Sequence, residues 1–225
     1  MNIQGFKINF LGDSITEGVG VEDIKNCRYD NRLAVMCQLS AVNNYGISGT
    51  RLAHQHYPSE KPRHDLCFCG RAYNMDTTAD MVVVYGGVND YIHGDAPFGE
   101  IGDTKPRTFC GGVYFLMNYL RENYSQKPVV FMTPARCYRP GDFDDLVPSS
   151  RLGKLPDAKP LRAYVDVILE TAKKFDIPVL DLYDNLGLDP HEQACYDTYT
   201  ADGLHFNDAG HAVIAQRLKA FIDSL

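Results

Sequence analysis

The segment Met81-Val82-Val83-Val84-Tyr85 limits the possible folds of this chain more than any other. It is nearly unbroken in apolar character and β-branched at its centre, with no polar alternation, so the strand it forms must be covered on both faces. A strand buried on both sides belongs inside a sheet that carries helices above and below it, which is the arrangement of α/β proteins.

The rest of the chain repeats that theme. Short apolar runs at Phe6 to Leu11, Ala41 to Tyr45, Pro128 to Met132 and Ile177 to Leu182 flank the central one and are separated by much longer segments. Such spacing suits crossover connections between parallel strands rather than hairpins. Leu161, Tyr164, Val165, Ile168, Leu169, Ala172 and Phe175 recur at three- and four-residue steps and predict a helix packed on the sheet. Val213, Ile214, Leu218, Phe221 and Ile222 predict a last helix, with Asn207 as its N-cap. Further helices are expected near Asn31 to Ser40 and Gly112 to Asn123.

At 225 residues, with no repeat, linker or low-complexity tract, the chain is expected to form one domain over residues 1–225. Its 44% hydrophobic and 23% charged residues are ordinary for a soluble globular protein. The net charge of −7 opposes binding to a phosphate backbone or an anionic membrane surface, so nucleic acid and stable membrane association are not expected. Seven scattered cysteines lack the spacing of a disulfide framework and suggest reduced thiols in a cytoplasmic setting. Met1 to Leu11 leads straight into Gly12-Asp13-Ser14 and does not read as a removable signal segment. Oligomeric state is not legible.

Four short segments stand after expected strands or before the last helix: Phe10-Leu11-Gly12-Asp13-Ser14, Asn44-Tyr45-Gly46-Ile47-Ser48-Gly49, Gly87-Val88-Asn89-Asp90 and Asp202-Gly203-Leu204-His205. Taken singly, each also reads as a turn. In this order they resemble the SGNH, or GDSL-type, hydrolase family, over nearly the whole chain. The resemblance implies a three-layer α/β/α fold with a flavodoxin-like, five-stranded parallel sheet of order 2-1-3-4-5. It makes Ser14 the nucleophile, His205 the general base and Asp202 the carboxylate that orients the base. It assigns the oxyanion hole to the Ser14 and Gly49 backbone N–H groups and the Asn89 side-chain amide, Gly49 being preferred to Gly46 because it follows Ser48 in a Ser-Gly step.

Chemistry supports the same grouping. A serine hydroxyl is a weak nucleophile until an imidazole takes its proton, and a carboxylate must hold that imidazole in one tautomer. Asp202 and His205 are three residues apart, so a single turn can fix their mutual orientation. With strand 1 between strands 2 and 3, the loops bearing Ser14, Gly49 and Asn89 converge at the switch point of the sheet. Asp13 is expected to brace its loop, and Asp90 to be structural. Tyr91, His93, Asp95 and Arg107, in the loop after Asn89, are candidate substrate contacts, with a solvated loop as the plain alternative. The connections 92–110, 137–156 and 183–203 are expected to wall the pocket.

Other motifs carry less. Ser48 has no separate His-Asp pair, and no Gly-x-Ser-x-Gly elbow occurs. His54-x-His56 and Cys67-x-Cys69 lack zinc-site spacing, Gly18-Val19-Gly20 lacks the third glycine of a dinucleotide fingerprint, and His211 reads as a packing or solvent-facing residue. Neither metal nor cofactor is expected. The reaction expected is hydrolysis of a small-molecule carboxylic ester through an acyl-enzyme, with a short acyl group preferred, acetyl on a carbohydrate included. A lysophospholipase- or thioesterase-type acylhydrolase, an acyltransferase, and a ligand-binding module without turnover remain open.

Overall fold

A computed structural model describes every residue of the chain except 152, 153 and 155. The expected connection 137–156 therefore lies partly outside the described residues. The described strands are β1 (Lys7–Gly12), β2 (Ala41–Gly46), β3 (Met81–Tyr85), β4 (Val129–Met132), β5 (Tyr138–Arg139), β6 (Phe143–Asp144) and β7 (Val179–Leu180). Five of them form one parallel sheet in the order β2-β1-β3-β4-β7, which is the 2-1-3-4-5 arrangement read from the sequence.

β3 occupies the middle, and its alternate side chains enter two different cores. Met81, Val83 and Tyr85 pack with residues of the Tyr29–Cys37 and Asp208–Ser224 helices, whereas Val82 and Val84 pack with residues of the Phe109–Asn123 and Leu161–Lys174 helices. All five residues are 1% exposed or less, which is why this segment can be apolar at every position. Burial of each such side chain contributes roughly 1.5–3 kcal/mol. The helices on either face complete a three-layer α/β/α sandwich.

The helix residues follow from the same periodicity. Leu161, Tyr164, Val165, Ile168 and Ala172 are all buried, while Phe175 falls just past the end of its helix and is only partly buried. Asn207 caps the last helix by accepting the Ala209 and Gly210 N–H groups at 3.0 and 3.1 Å. Its buried stripe is Ile214, Leu218 and Ile222, with Val213 and Phe221 at the margin.

Three differences from the sequence reading have local causes. The expected strand at 177–182 shrinks to Val179–Leu180 because Asp181 turns its carboxylate onto the Tyr183 and Asp184 N–H groups and starts a helical turn. The 137–156 connection contains the antiparallel β5–β6 hairpin, and 183–203 contains a helix at Gln193–Tyr199. The segment between β2 and β3 holds short helical turns at Pro62–Asp65, Phe68–Arg71 and Ala72–Asn74.

Register sets the site. Gly12 of β1 lies opposite Gly46 of β2 and Tyr85 of β3, so the three strands end level with one another. The chain leaving each of them emerges on the same edge of the sheet.

Candidate active site

Ser14 opens the helical turn Ser14–Glu17 directly after β1, and its residue is 5% exposed. As the first residue of that turn its N–H has no partner in the helical ladder, which leaves it free to face a ligand. Asp13 caps the turn, its Oδ1 accepting the Ile15 N–H at 3.0 Å. Burial raises the Asp13 carboxyl to about 6, against the opposing pull of the Ile15 N–H, His205 and Arg71.

His205 and Asp202 arrive from the far end of the chain. His205 Nε2 stands 2.9 Å from Ser14 Oγ, and its Nδ1 stands 2.8 Å from Asp202 Oδ2. Asp202 Oδ1 meanwhile accepts the N–H groups of Leu204 and His205 at 3.1 and 2.8 Å. The three-residue spacing is thus closed by backbone hydrogen bonds as well as by the ring. Burial alone would raise the Asp202 carboxyl; the ring and backbone donors of His205 outweigh it and hold the group well below the usual carboxylate range. Gly203 has φ +81°, and a Cβ there would lie 1.9 Å from the Tyr138 carbonyl oxygen, so this turn accepts only glycine.

Arg139, at the end of β5, grips the same turn. Its guanidinium pairs with the Asp202 carboxylate, and its Nε donates to the Asp202 carbonyl at 2.8 Å. Nothing in the sequence marked this residue, because a two-residue strand in a polar connection gives no periodic signal.

Gly49 and Asn89 complete the ring of groups around Ser14. Gly49 has φ +73°, and a Cβ would press to 2.5 Å from the His64 imidazole. The glycine is therefore required by its own backbone and by the neighbouring ring. Asn89, in the short Val88–Ile92 helix, is 4% exposed. Its Nδ2 donates one hydrogen to the Thr50 carbonyl at 3.0 Å, and its Oδ1 lies 3.0 Å from His93 Nε2. The second amide hydrogen remains for a ligand.

Two buried charged residues hold the loops together. The Asp90 carboxylate accepts the Leu52 and Ala53 N–H groups at 2.8 and 3.1 Å, clamping the chain after β2 to that after β3. Arg71 bonds the carbonyls of Gly12 and Tyr45, one on each of β1 and β2, together with Thr50 Oγ1. Burial lowers its guanidinium to about 10. Sequence reasoning missed Arg71 and His64, since both come from the irregular segment between β2 and β3.

Ser14, Gly49, Asn89, Asp202 and His205 line one cavity of about 280 Å³, whose apolar lining is Val19, Ile92, Phe143 and Leu204. Of the four expected substrate contacts only His93 lines it. Tyr91 is fully buried, its hydroxyl bonded to the Asp144 and Val147 carbonyls. Asp95 binds the His56 and Tyr57 N–H groups, and Arg107 lines a separate, larger groove with His54, His56 and Lys105. The turn of the Val88–Ile92 helix and the loop after it point neighbouring residues in different directions, so proximity to Asn89 in sequence did not translate into proximity to Ser14.

The remaining motifs resolve into packing. Ser48 is bonded through its hydroxyl and N–H to Glu17, not to an imidazole. Cys67 and Cys69 are buried free thiols, and among the described residues no disulfide joins any cysteine. His211 is buried, stacked on Tyr29, and accepts the Tyr29 N–H at 3.2 Å on Nδ1.

With this geometry in place, the model of the GDSL-like lipase/acylhydrolase family matches residues 10–213. The chain belongs to that family. It is accordingly a hydrolase. Comparison with curated proteins gives no match. Among solved structures, a protein from Lactobacillus plantarum is 28% identical, with a TM-score of 0.82 over 99% of this chain and 98% of that one. A variant of an acetyl-xylooligosaccharide esterase from Geobacillus is 20% identical, with a TM-score of 0.61 over 99% of this chain and 96% of that one. The second likeness speaks to the fold. Among the described residues, no helix of this hydrolase is long and apolar enough to cross a membrane.

Proposed function

We propose that the chain hydrolyses a short-acyl carboxylic ester through an acyl-enzyme on Ser14. The observation that carries this reading is the continuous line from Ser14 Oγ through the His205 ring to Asp202, at 2.9 and 2.8 Å. Asp202 accepts the Nδ1 proton and so leaves a lone pair on Nε2 facing the hydroxyl.

In the first step His205 Nε2 takes the Ser14 proton as Oγ bonds to the carbonyl carbon. The carbonyl electron pair moves onto oxygen, where the Ser14 and Gly49 N–H groups and the free Asn89 amide hydrogen receive it. Each such donor lowers the barrier by about 3 kcal/mol. Collapse expels the alkoxide, which leaves as the alcohol with the proton from His205. Water then gives its proton to the same nitrogen, attacks the acyl carbon and releases the acid, and Ser14 regains its hydrogen.

The cavity supports the short acyl group. At about 280 Å³ it is near the lower limit of ligand pockets, and Phe143, Leu204 and Ile92 close its apolar side. Acetyl esters of carbohydrates fit this reading, as does the fold shared with the acetyl-xylooligosaccharide esterase. The test is an ester series graded by acyl length, extended to acetylated sugars and lysolipids, with Ser14→Ala and His205→Ala as controls. Loss of nearly all turnover and of fluorophosphonate labelling in folded Ser14→Ala is the expected result. Wild-type turnover in that variant would overturn the assignment.

A further inference from the structure

Away from Ser14, Asp145 presents a problem of its own. Its side chain is fully buried, yet neither carboxyl oxygen has a hydrogen-bond partner. The Tyr183 hydroxyl faces the same carboxyl. A carboxylate buried in this way is costly unless something satisfies it.

His191 Nε2 lies 3.4 Å from Asp145 Oδ1 and 3.1 Å from Asp144 Oδ1. The other face of that ring is committed, since Nδ1 lies 2.7 Å from Asp189 Oδ1. With the Nδ1 hydrogen on Asp189, Nε2 carries a lone pair directed between two carboxylates. Were Nε2 protonated instead, its single hydrogen would serve one carboxylate and leave the other bare.

We infer that Asp144, Asp145 and His191 form a binding site for a divalent cation of the zinc class, with Asp189 orienting the histidine. A tetrahedral ion with bonds of about 2.0–2.1 Å needs donor atoms about 3.3–3.4 Å apart, and the two nitrogen-to-oxygen distances lie close to that. An imidazole held by a carboxylate on its far nitrogen is the usual outer-shell arrangement of zinc ligands. Charge agrees, because Asp144, Asp145 and Asp189 bring three carboxylates around the ring, with the Arg136 guanidinium 3.9 Å from Asp189. Asp144 and His191 are partly exposed and give the ion a way in.

The site is structural. It would tie β6 to the 189–191 segment, and Tyr138 of β5 stacks on the His191 ring at 4.5 Å. The same hairpin presents Arg139 to Asp202. No step of ester hydrolysis runs through the ion.

The test is thermal unfolding of the wild-type chain titrated with zinc chloride, with bound zinc measured after desalting. We expect one equivalent retained and a Tm raised by roughly 5–10 °C at saturating zinc. Asp145→Asn and His191→Gln should abolish both effects, and Asp189→Asn should weaken zinc binding roughly 10- to 100-fold. Ser14→Ala should respond as the wild type does. A wild-type chain that retains no zinc and shows no shift overturns the inference. So does a zinc shift that persists in both ligand variants, or a magnesium chloride shift equal to that of zinc.

Discussion

His93 fixes Asn89. Its Nε2 lies 3.0 Å from Asn89 Oδ1, while its Nδ1 faces the Arg51 guanidinium at 3.5 Å. A guanidinium can only donate, so the ring hydrogen sits on Nε2 and points at the amide oxygen. Burial, aided by Arg51, lowers the His93 imidazole to about 3, which keeps it neutral near neutral pH. With its oxygen held by His93 and one hydrogen held by Thr50, the Asn89 amide cannot turn over. We expect His93→Ala to lower kcat roughly 10- to 100-fold with KM changed less than twofold, and His93→Gln, which keeps an N–H donor, to recover most of the loss. Equal effects of the two variants on kcat would argue against a positioning role.

Asn89 itself should bear the larger share. Asn89→Ala removes the side-chain donor from the cavity and should cost about 10²- to 10³-fold in kcat. Because Ser14 and His205 stay in place, labelling by a fluorophosphonate should slow rather than vanish. Steady-state kinetics beside labelling rates separates these two effects.

Much of this site was legible because its parts are local in sequence. Asp202 and His205 close one turn, Asn207 caps one helix, and buried parallel strands announce themselves as apolar runs. The residues that escaped notice act across the chain. Arg71 joins the ends of β1 and β2 from a segment without periodicity, and Arg139 reaches Asp202 from a two-residue strand. A buried arginine and a solvated one look alike in sequence, because only packing distinguishes them. His93 was named as a substrate contact, and it stands four residues after Asn89 in a helical turn, the spacing at which side chains meet. Tyr91, Asp95 and Arg107 shared its loop but not its direction.

The buried Asp13 carboxyl makes stability depend on pH in a definite sense. Its folded value of about 6 lies above the ordinary 3.8, so the folded chain holds a proton that the unfolded chain has lost between those limits. Stability from this group is therefore fullest below about pH 4 and falls as pH rises to about 6, by at most on the order of 1.4 kcal/mol per pH unit. Asp13→Asn keeps an oxygen for the Ile15 N–H but cannot ionise. Its Tm should fall less steeply than the wild type's from pH 4 to 6, measured by thermal unfolding in matched buffers. Parallel curves for the two proteins would show that Asp13 does not titrate in this window.

On the proposed reading, the apolar wall beside Ser14 sets acyl length. Leu204 precedes His205 and lines the cavity, while its backbone N–H, which bonds Asp202, does not depend on the side chain. Leu204→Ala therefore opens room without disturbing the hydrogen bonds that orient the base. A methylene accommodated in an apolar pocket is worth about 1–3 kcal/mol, or roughly 10- to 200-fold in kcat/KM. The wild-type chain should favour acetyl over butyryl esters, and Leu204→Ala should shift the butyryl-to-acetyl ratio of kcat/KM upward at least tenfold. An unchanged ratio would mean that the acyl group lies on another side of the cavity, with Phe143 and Ile92 the next walls to open.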